Sequence, residues 1–455
     1  MEMMSVLMFF VVCLVLLSGF PVAYALAGTG LIFAAIGSMT GSFESAFLHT
    51  VPDRLFGIMG ESQLTTVLVA VPLFVFMGVI LEHSKVAEKL LGSMAMIFGA
   101  RAGGLGISVV LVGMLLAAST GIVGATVVTM GLMSLPSMLQ RQYDPKIATG
   151  VICASGTLGQ IIPPSIVLIL LGDQISSAYT NVGLSEKVVS VGDLFVGALL
   201  PGLLLVALYV LYVIVIATIQ PHRMPAIPAE ELAQTHVTQI IFNLVPPLML
   251  ILAVLGSILL GIATPTEAAS VGAVGAMVLA LAQKTFTLSL LQAAMRQTLK
   301  ITSMVFMILI GANIFSVVFK GFAGDEFIAS LLTDLPGGRF TTVFIVMLVM
   351  FLLGFILDFI EITFVVVPIV APILLLMGFD PIWLGVMIAL NLQTSFLTPP
   401  FGFSLFYLRG VAPKSVRTKD IYLGVMPFIG IQLLVMSLLA IWPGLATWLP
   451  ELLSR

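Results

Sequence analysis

Long apolar stretches separated by short polar or proline-containing breaks run through the whole chain. Residues 3–38 form an apolar segment that Ser18 and Pro21 interrupt. A transmembrane helix needs about 20 apolar residues, so this pattern predicts two scaffold helices. The same pattern at 238–283 predicts a second pair, divided near Pro265.

Two other patterns predict hairpins that enter and leave the membrane on one side. In 54–83, apolar runs too short to cross lie on either side of a polar patch at Ser62 and of Pro72. The matching segment is 296–332, where Asn313 takes the place of Pro72. We predict a re-entrant hairpin in each segment, because irregular backbone at membrane depth must be buried in protein or face water.

The remaining apolar segments are long, and several are interrupted near their middles. Residues 104–172 and 340–408 predict broken helices, and 104–140 is interpreted as two half-helices that meet end to end. Uninterrupted helices are predicted at 193–219 and 421–448. All of these elements are helical, so the predicted fold class is all-α.

A proline pair recurs at a fixed distance and indicates an internal duplication. Pro163-Pro164 is followed 236 residues later by Pro399-Pro400. The other matches at this offset are Pro136 with Pro372 and Asp144 with Asp380.

The duplication predicts two inverted-topology repeats. Their bounds are 1–220 and 237–455, with a linker at 221–236. A proline pair frees backbone groups that lipid cannot satisfy. Such breaks at matching positions of two repeats are typical of transporters with a binding site near the middle of the membrane.

The composition indicates a polytopic membrane protein. Of the 455 residues, 60% are hydrophobic and 9% are charged, which is far outside the range of soluble domains. Nothing indicates nucleic-acid binding. Cys13 and Cys153 lie within apolar segments at no metal-binding spacing and are interpreted as packing residues.

The motifs disfavour catalysis and ATP use. The four histidines lie in or beside loops, without a carboxylate and a nucleophile in plausible register. The sequence contains no Walker A motif, so the chain cannot itself use ATP. We predict a transporter and not an enzyme, driven by an ion gradient or by another subunit. A passive channel fits less well, because broken helices near the midplane favour an occluded site.

Hydroxyl, amide and carboxylate side chains cluster at the helix breaks. Unwound carbonyls and hydroxyls are hard oxygen ligands, so we predict one Na+ site in each half. Each Ser or Thr taken alone could equally serve close helix packing. A carboxylate within a span is costly and usually functional, although Asp358 could also be packed and neutral. The first site comprises Ser119, Thr120, Gly121, Gly124, Thr126, Gly156 and Thr157. The second comprises Asn313, Asp358, Gln393, Thr394 and Thr398.

The helix breaks also present half-helix N-termini, whose free amide groups attract anions. No Lys or Arg lies at the centre of a broken helix, so we expect amides and hydroxyls to hold a carboxylate substrate. The predicted substrate residues are Ser62, Pro72, Pro163, Pro164, Ser165, Pro399 and Pro400.

Four motifs resemble the large membrane subunit of tripartite ATP-independent periplasmic (TRAP) transporters. They are VAVPLFVFMG (69–78), SGTLGQIIPPSIVLILLGDQ (155–174), ATPTEAASVGAVGA (263–276) and LTPPFGFSLF (397–406). The resemblance implies an elevator-type ion transporter fold in the bacterial inner membrane, coupled to two or more Na+ ions. It also implies two partners, a small four-helix membrane subunit and a soluble periplasmic substrate-binding protein that delivers carboxylates.

One stretch departs from the family pattern. The first helix break usually reads like SGSSVAT, and Ile122 and Val123 stand here where two serines are expected. Ion ligation would then fall to the backbone and to Ser119, Thr120 and Thr126. A stand-alone sodium/dicarboxylate-type symporter, working without a binding protein, is the alternative function.

Overall fold

The computed structural model describes residues 2–59, 68–183, 189–228 and 237–453. Among these residues, eight helices are long and apolar enough to cross a membrane, which confirms an all-α polytopic protein. The helices of the first half are α1 (Glu2–Leu17), α2 (Val22–Thr40), α3 (Thr50–Met59), α4 (Ala70–His83), α5 (Val86–Phe98), α6 (Gly104–Thr120), α7 (Val123–Gln140), α8 (Pro145–Thr157), α9 (Ile166–Asn181) and α10 (Val191–Ile219). Those of the second half are α11 (Val237–Leu259), α12 (Pro265–Ala282), α13 (Leu288–Gly321), α14 (Gly324–Thr333), α15 (Gly338–Leu353), α16 (Phe359–Leu376), α17 (Pro381–Leu397), α18 (Phe403–Val411), α19 (Thr418–Ile441) and α20 (Gly444–Leu453).

Helices α6 and α7 form a hairpin. The backbone N–H groups of Gly103, before α6, and Asp144, after α7, donate to the adjacent carbonyls of residues 223–224, each at 2.9 Å. Both ends of the segment therefore meet at one place. Gly121 makes the turn with a φ of 61°, which glycine adopts without strain. The prediction of two half-helices meeting end to end in 104–140 is wrong.

Helices α15 and α16 form a second hairpin. The guanidinium carbon of Arg339, at the start of α15, lies 5.9 Å from the ring centre of Phe379, just after the end of α16. The turn between the arms occupies residues 354–358. The break that the sequence indicates near Gly354 is thus a hairpin tip, and the segment does not continue as one crossing helix.

The two hairpins of the structure lie outside the segments in which re-entrant hairpins were predicted. Helix α13 runs unbroken through 34 residues, a length of about 50 Å at 1.5 Å per residue, so the hairpin predicted at 296–332 is wrong. In 54–83 the structure describes α3 and α4, and the polar patch at Ser62 lies outside the described residues. Helices α4 and α5 then meet at a bend of 62°.

Helices α2, α4, α12 and α13 pack into a unit that we call the frame. Helix α2 lies along α13, and α12 lies along α4. A Cβ added at Gly311 would overlap the backbone of Ala23, and one added at Gly272 would lie 2.6 Å from the sulfur of Met77. Small residues permit this close approach, which is how helices associate in lipid.

The two hairpins and the helices on either side of the Pro-Pro pairs (α6–α9 and α15–α18) form a second unit, the hairpin unit. Helix α8 packs against both arms of the first hairpin, and α17 packs against α15. Residues 147–157 of α8 and 383–397 of α17 are all buried. Each of these helices starts at an Asp-Pro pair, and the side chains of Asp144 and Asp380 accept first-turn N–H groups at 2.8 Å. Because Asp followed by Pro is a strong start signal, the sequence located both starts.

One predicted boundary in the last segment differs from the structure. The helix predicted at 421–448 is divided, because α19 ends at Ile441 and α20 begins at Gly444, just after Pro443. Proline lacks the amide donor that a continuing helix requires.

Candidate ion and substrate sites at the hairpin tips

The tip of the first hairpin lies beside the break between α8 and α9. A Cβ added at Gly121 would lie 2.9 Å from the side chain of Ile166, the first residue of α9. One added at Gly156, near the end of α8, would overlap the side chain of Val127 on the second arm. The structure thus places these two glycines of the first predicted sodium site on contacting elements.

Two threonines of the first predicted site are buried. Thr126 and Thr157 each donate a hydroxyl hydrogen to a carbonyl in the preceding turn, at 3.1 Å and 2.8 Å. A hydroxyl has two lone pairs besides the hydrogen it donates, so the Thr157 oxygen retains acceptor capacity. The side chains of Ser119 and Thr120 lie outside what the structure describes.

Gly124 is the remaining member of the first predicted site. A Cβ added there would lie 3.0 Å from the ring of Tyr407 on α18. Its place next to this ring shows that the first hairpin also contacts the helix that follows the second Pro-Pro pair.

Asp358 lies at the tip of the second hairpin and caps α16. Its Oδ1 accepts the N–H of Phe359 at 2.7 Å, and its own N–H donates to Oε2 of Glu361 at 2.8 Å. Glu361 is only 7% exposed. Glu361 is not among the predicted site residues, although an N-cap acceptor followed three residues later by Glu is the signature of a capping box.

Helix α17 and its C-cap residue supply Gln393, Thr394 and Thr398 of the second predicted site. Thr394 and Thr398 donate to carbonyls one turn earlier, at 2.8 Å and 2.7 Å. A Cβ added at Gly354 of the second tip would overlap the hydroxyl of Ser395. The second tip therefore contacts α17, as the first tip contacts the end of α8 and the start of α9.

A side-chain hydrogen bond connects the two predicted sodium sites. Nε2 of Gln393 donates to Oγ1 of Thr157 at 3.3 Å, and the residues are 236 positions apart. This is the offset that separates the two Pro-Pro pairs. Both side chains are fully buried.

Asn313 lies apart from the other members of the second predicted site. Its Nδ2 donates to the carbonyl of Leu309 in its own helix at 3.0 Å, and it lines a cavity of about 780 Å³. None of the other four predicted members lines this cavity. The grouping of Asn313 with them is not found.

The cavity that contains Asn313 lies between the frame and the hairpin unit. Lys320 lines it from α13 of the frame, and Gln174 and Ser177 line it from α9 of the hairpin unit. Arg54 of α3 adds a second cationic side chain. The acidic residues Asp325 and Glu326 of α14 complete the charged part of the lining. Lys320 and Arg54 were not predicted, because basic residues were expected only inside the broken helices.

The two Pro-Pro breaks are present and differ in exposure. Pro163, Pro164 and Ser165 are buried, whereas Phe401, which follows the second pair, is 54% exposed. Pro400 is also exposed, and the peptide bond within each pair is cis. The first break is therefore closed by packing, and the second reaches the surface.

The other predicted substrate residues lie elsewhere. Pro72 occupies the first turn of α4, where proline is tolerated and does not break a helix. Ser62 lies outside the described residues. None of the described substrate residues lines the cavity that contains Asn313.

The sequence matches a family of known transporters over nearly the whole chain. The sequence model of "Tripartite ATP-independent periplasmic transporter, DctM component" matches residues 7–445. The chain belongs to this family. It is a large membrane subunit of the TRAP type and a multi-pass protein of the bacterial inner membrane.

Curated TRAP permeases are similar to this TRAP subunit from end to end. The C4-dicarboxylate TRAP transporter large permease protein DctM of Vibrio cholerae is 30% identical, over 98% of this chain and 97% of that protein. The sialic acid TRAP transporter large permease protein SiaM of the same species is 26% identical over 96% of each chain. The ectoine TRAP transporter large permease protein TeaC of Halomonas elongata is 27% identical over 97% of each chain.

Two solved transporter structures share the fold of this TRAP subunit. The YdaH transporter of Alcanivorax borkumensis has a TM-score of 0.60 and 15% identity, and the match covers 87% of both chains. MtrF of Neisseria gonorrhoeae has a TM-score of 0.56 and 13% identity, over 87% of this chain and 83% of that one. At these identities the likeness concerns the fold alone.

Proposed function

We propose that this TRAP subunit couples the uptake of a small organic acid to the entry of Na+ ions. The observation that carries the proposal is the contact between each hairpin tip and a buried helix rich in hydroxyl groups. The first tip meets α8 and α9 around Gly121 and Gly156, and the second meets α17 at Gly354 and Ser395. Tips and broken helices supply free carbonyls, and these together with hydroxyl oxygens form the ligand set of sodium sites in transporters.

Asp358 provides the negative charge for the second site. Its helix cap uses Oδ1 to accept a backbone N–H. A carboxylate has two oxygens with several lone pairs, so the cap leaves capacity for a cation. The first site contains no acidic residue and relies on carbonyls with Thr126 and Thr157.

The hairpin unit moves against the frame as an elevator, and the two halves are inverted repeats. Matching boundaries support the duplication, since α7 and α16 start at Val123 and Phe359, and α8 and α17 start at Pro145 and Pro381. Both pairs of starts have the offset of the Pro-Pro pairs. The frame contacts are also reciprocal, with α2 on α13 and α12 on α4.

A carboxylate substrate approaches through the cavity between the frame and the hairpin unit. Lys320 and Arg54 supply positive charge, and Gln174 and Asn313 supply amide donors. Two of the relatives carry dicarboxylate or sialic acid in their names, which favours an acid as the substrate. The motion of the hairpin unit then exposes this space to the other side of the membrane.

The transporter works with the two partners that the family implies. A small four-helix membrane subunit completes the membrane part, and a soluble periplasmic binding protein delivers the acid. Reconstitution of the chain with both partners, and a panel of labelled acids, tests this proposal. We expect sodium-dependent uptake only when the binding protein is present. Equal uptake without the binding protein would favour the stand-alone sodium/dicarboxylate-type symporter.

A further inference from the structure

We infer that the hydrogen bond between Gln393 and Thr157 couples the two sodium sites, so that an ion at the first site raises the affinity of the second. The inference rests on the proposed function, because it requires both sites to bind Na+. It assigns these two residues a positioning role in addition to any direct contact with an ion.

The Thr157 hydroxyl already takes part in two hydrogen bonds within the protein. The hydroxyl hydrogen of Thr157 is donated to the carbonyl of Ala154 at 2.8 Å. Its oxygen accepts Nε2 of Gln393 at 3.3 Å. A hydroxyl has two lone pairs, so the oxygen retains one for an ion at the first site.

The Oε1 atom of the Gln393 amide is available to bind an ion at the second site. Its Oε1 is buried and has no hydrogen-bond partner among the described residues. A buried acceptor without a partner is costly, and a cation satisfies it. Thr394, the next residue of α17, belongs to the second predicted site, so Oε1 is a candidate ligand there.

The coupling follows from the rigidity of the amide group. Nε2 and Oε1 lie in one plane, so a bond that holds Nε2 also orients Oε1. An ion that binds Thr157 fixes its hydroxyl, and this fixes the Gln393 amide before the second ion arrives. The second ion then loses less conformational entropy on binding, which gives positive cooperativity. Polarisation along the chain of hydrogen bonds acts in the same direction.

A second amide–hydroxyl hydrogen bond, outside the hairpin unit, provides a control. Nδ2 of Asn243, on α11, donates to the hydroxyl of Ser93, on α5, at 3.2 Å. This bond has the same chemistry and nearly the same length, and neither helix carries a predicted site residue. Its removal controls for the loss of one amide–hydroxyl bond between helices.

The test is equilibrium binding of radioactive Na+ to the purified full-length chain. The parent should bind with a Hill coefficient above 1, towards a limit of about 2 set by two sites. Thr157→Ser keeps the oxygen and should bind like the parent. Thr157→Val should lower the Hill coefficient to 1 or below, as should Gln393→Leu, which breaks the bond from the other side. Asn243→Leu should leave the Hill coefficient unchanged.

The outcomes separate the inference from the proposed function. No sodium binding by the parent would overturn the proposed function and the inference together. Sodium binding by the parent without cooperativity would overturn the inference alone, and so would parental cooperativity in Thr157→Val. Loss of one or both bound ions per chain in both variants, with unchanged thermal melting, would show that the residues are only ligands and would also overturn it.

Discussion

Thr129 donates its hydroxyl to Oε1 of Glu82 at 2.6 Å, and this bond joins the second arm of the first hairpin to helix α4 of the frame. A hydrogen bond to a charged group contributes about 1.5–3 kcal/mol. If the hairpin unit slides against the frame, the bond must break during transport. It therefore stabilises the arrangement described here over the alternative one.

Thr129→Val should shift the equilibrium between the two arrangements. Loss of about 1.5–3 kcal/mol corresponds to a change of roughly 10-fold or more in their ratio. Distances between one spin label on the frame and one on the hairpin unit, measured by pulsed electron resonance, report this ratio. Thr180→Val is the control, because Thr180 donates only within its own helix, to Ser176 at 2.9 Å. A distance distribution in Thr129→Val that equals the parent's would contradict the elevator proposal.

Asp358→Asn should impair sodium coupling more than folding. The amide keeps the volume and an oxygen that can accept the N–H of Phe359, but it loses the charge beside the second predicted ion. Uptake should need more sodium, while the melting temperature in detergent stays close to the parent's. Asp193→Asn, in the capping box of α10 with Ser190, should leave both unchanged. Normal sodium dependence in Asp358→Asn would assign Asp358 to packing.

Replacing Pro399-Pro400 with Ala-Ala should abolish transport without loss of stability. Ala is favoured over Pro by roughly 3 kcal/mol in a helix interior, so α17 and α18 can join and pair the groups meant for the substrate. The second pair is the better test, because Pro400 is exposed and little packing is lost. The same change at the buried pair Pro163-Pro164 should cost stability as well. Stable variants of the second pair that keep full uptake would defeat this account of the breaks.

Lys320→Gln should weaken the capture of an anionic substrate. Removal of one of the two cationic side chains from the cavity should raise the KM for uptake several-fold and reduce its dependence on ionic strength, since charges in contact with solvent act over about 10 Å at 0.1 M salt. The maximal rate should change less. Lys300→Gln, an exposed lysine on the same helix, is the matched control. An unchanged KM in Lys320→Gln would remove the cavity from the substrate route.

The sequence predicted where helices are interrupted, but it did not predict whether the chain continues or turns back at each interruption. Pro163-Pro164, Pro399-Pro400 and the turn at Gly121 all interrupt helices as predicted. Apolar patterning cannot distinguish a helix that resumes beyond a break from one that turns back. The contacts of Gly103 and Asp144 with residues 223–224 decide this for the first hairpin, and they depend on a distant segment.

Two glycines of the first predicted site lie on contacting elements, Gly121 against Ile166 and Gly156 against Val127. Small residues at a helix break allow this close approach, which is a signal that the local sequence contains. Asn313 was misplaced because its assignment rested on an aligned position alone. Glu361 was overlooked because its carboxylate accepts a backbone N–H three residues away. Capping-box spacing indicates this role, whereas the presence of a polar residue within a span does not.

Sodium coupling is tested most directly by uptake into proteoliposomes with controlled ion gradients. The vesicles contain the chain with its small membrane partner, and the binding protein is loaded with labelled acid outside. We predict that the initial uptake rate rises more than linearly with external Na+ and falls to background in its absence. Uptake at the full rate in sodium-free buffer, driven by a proton gradient alone, would contradict the account.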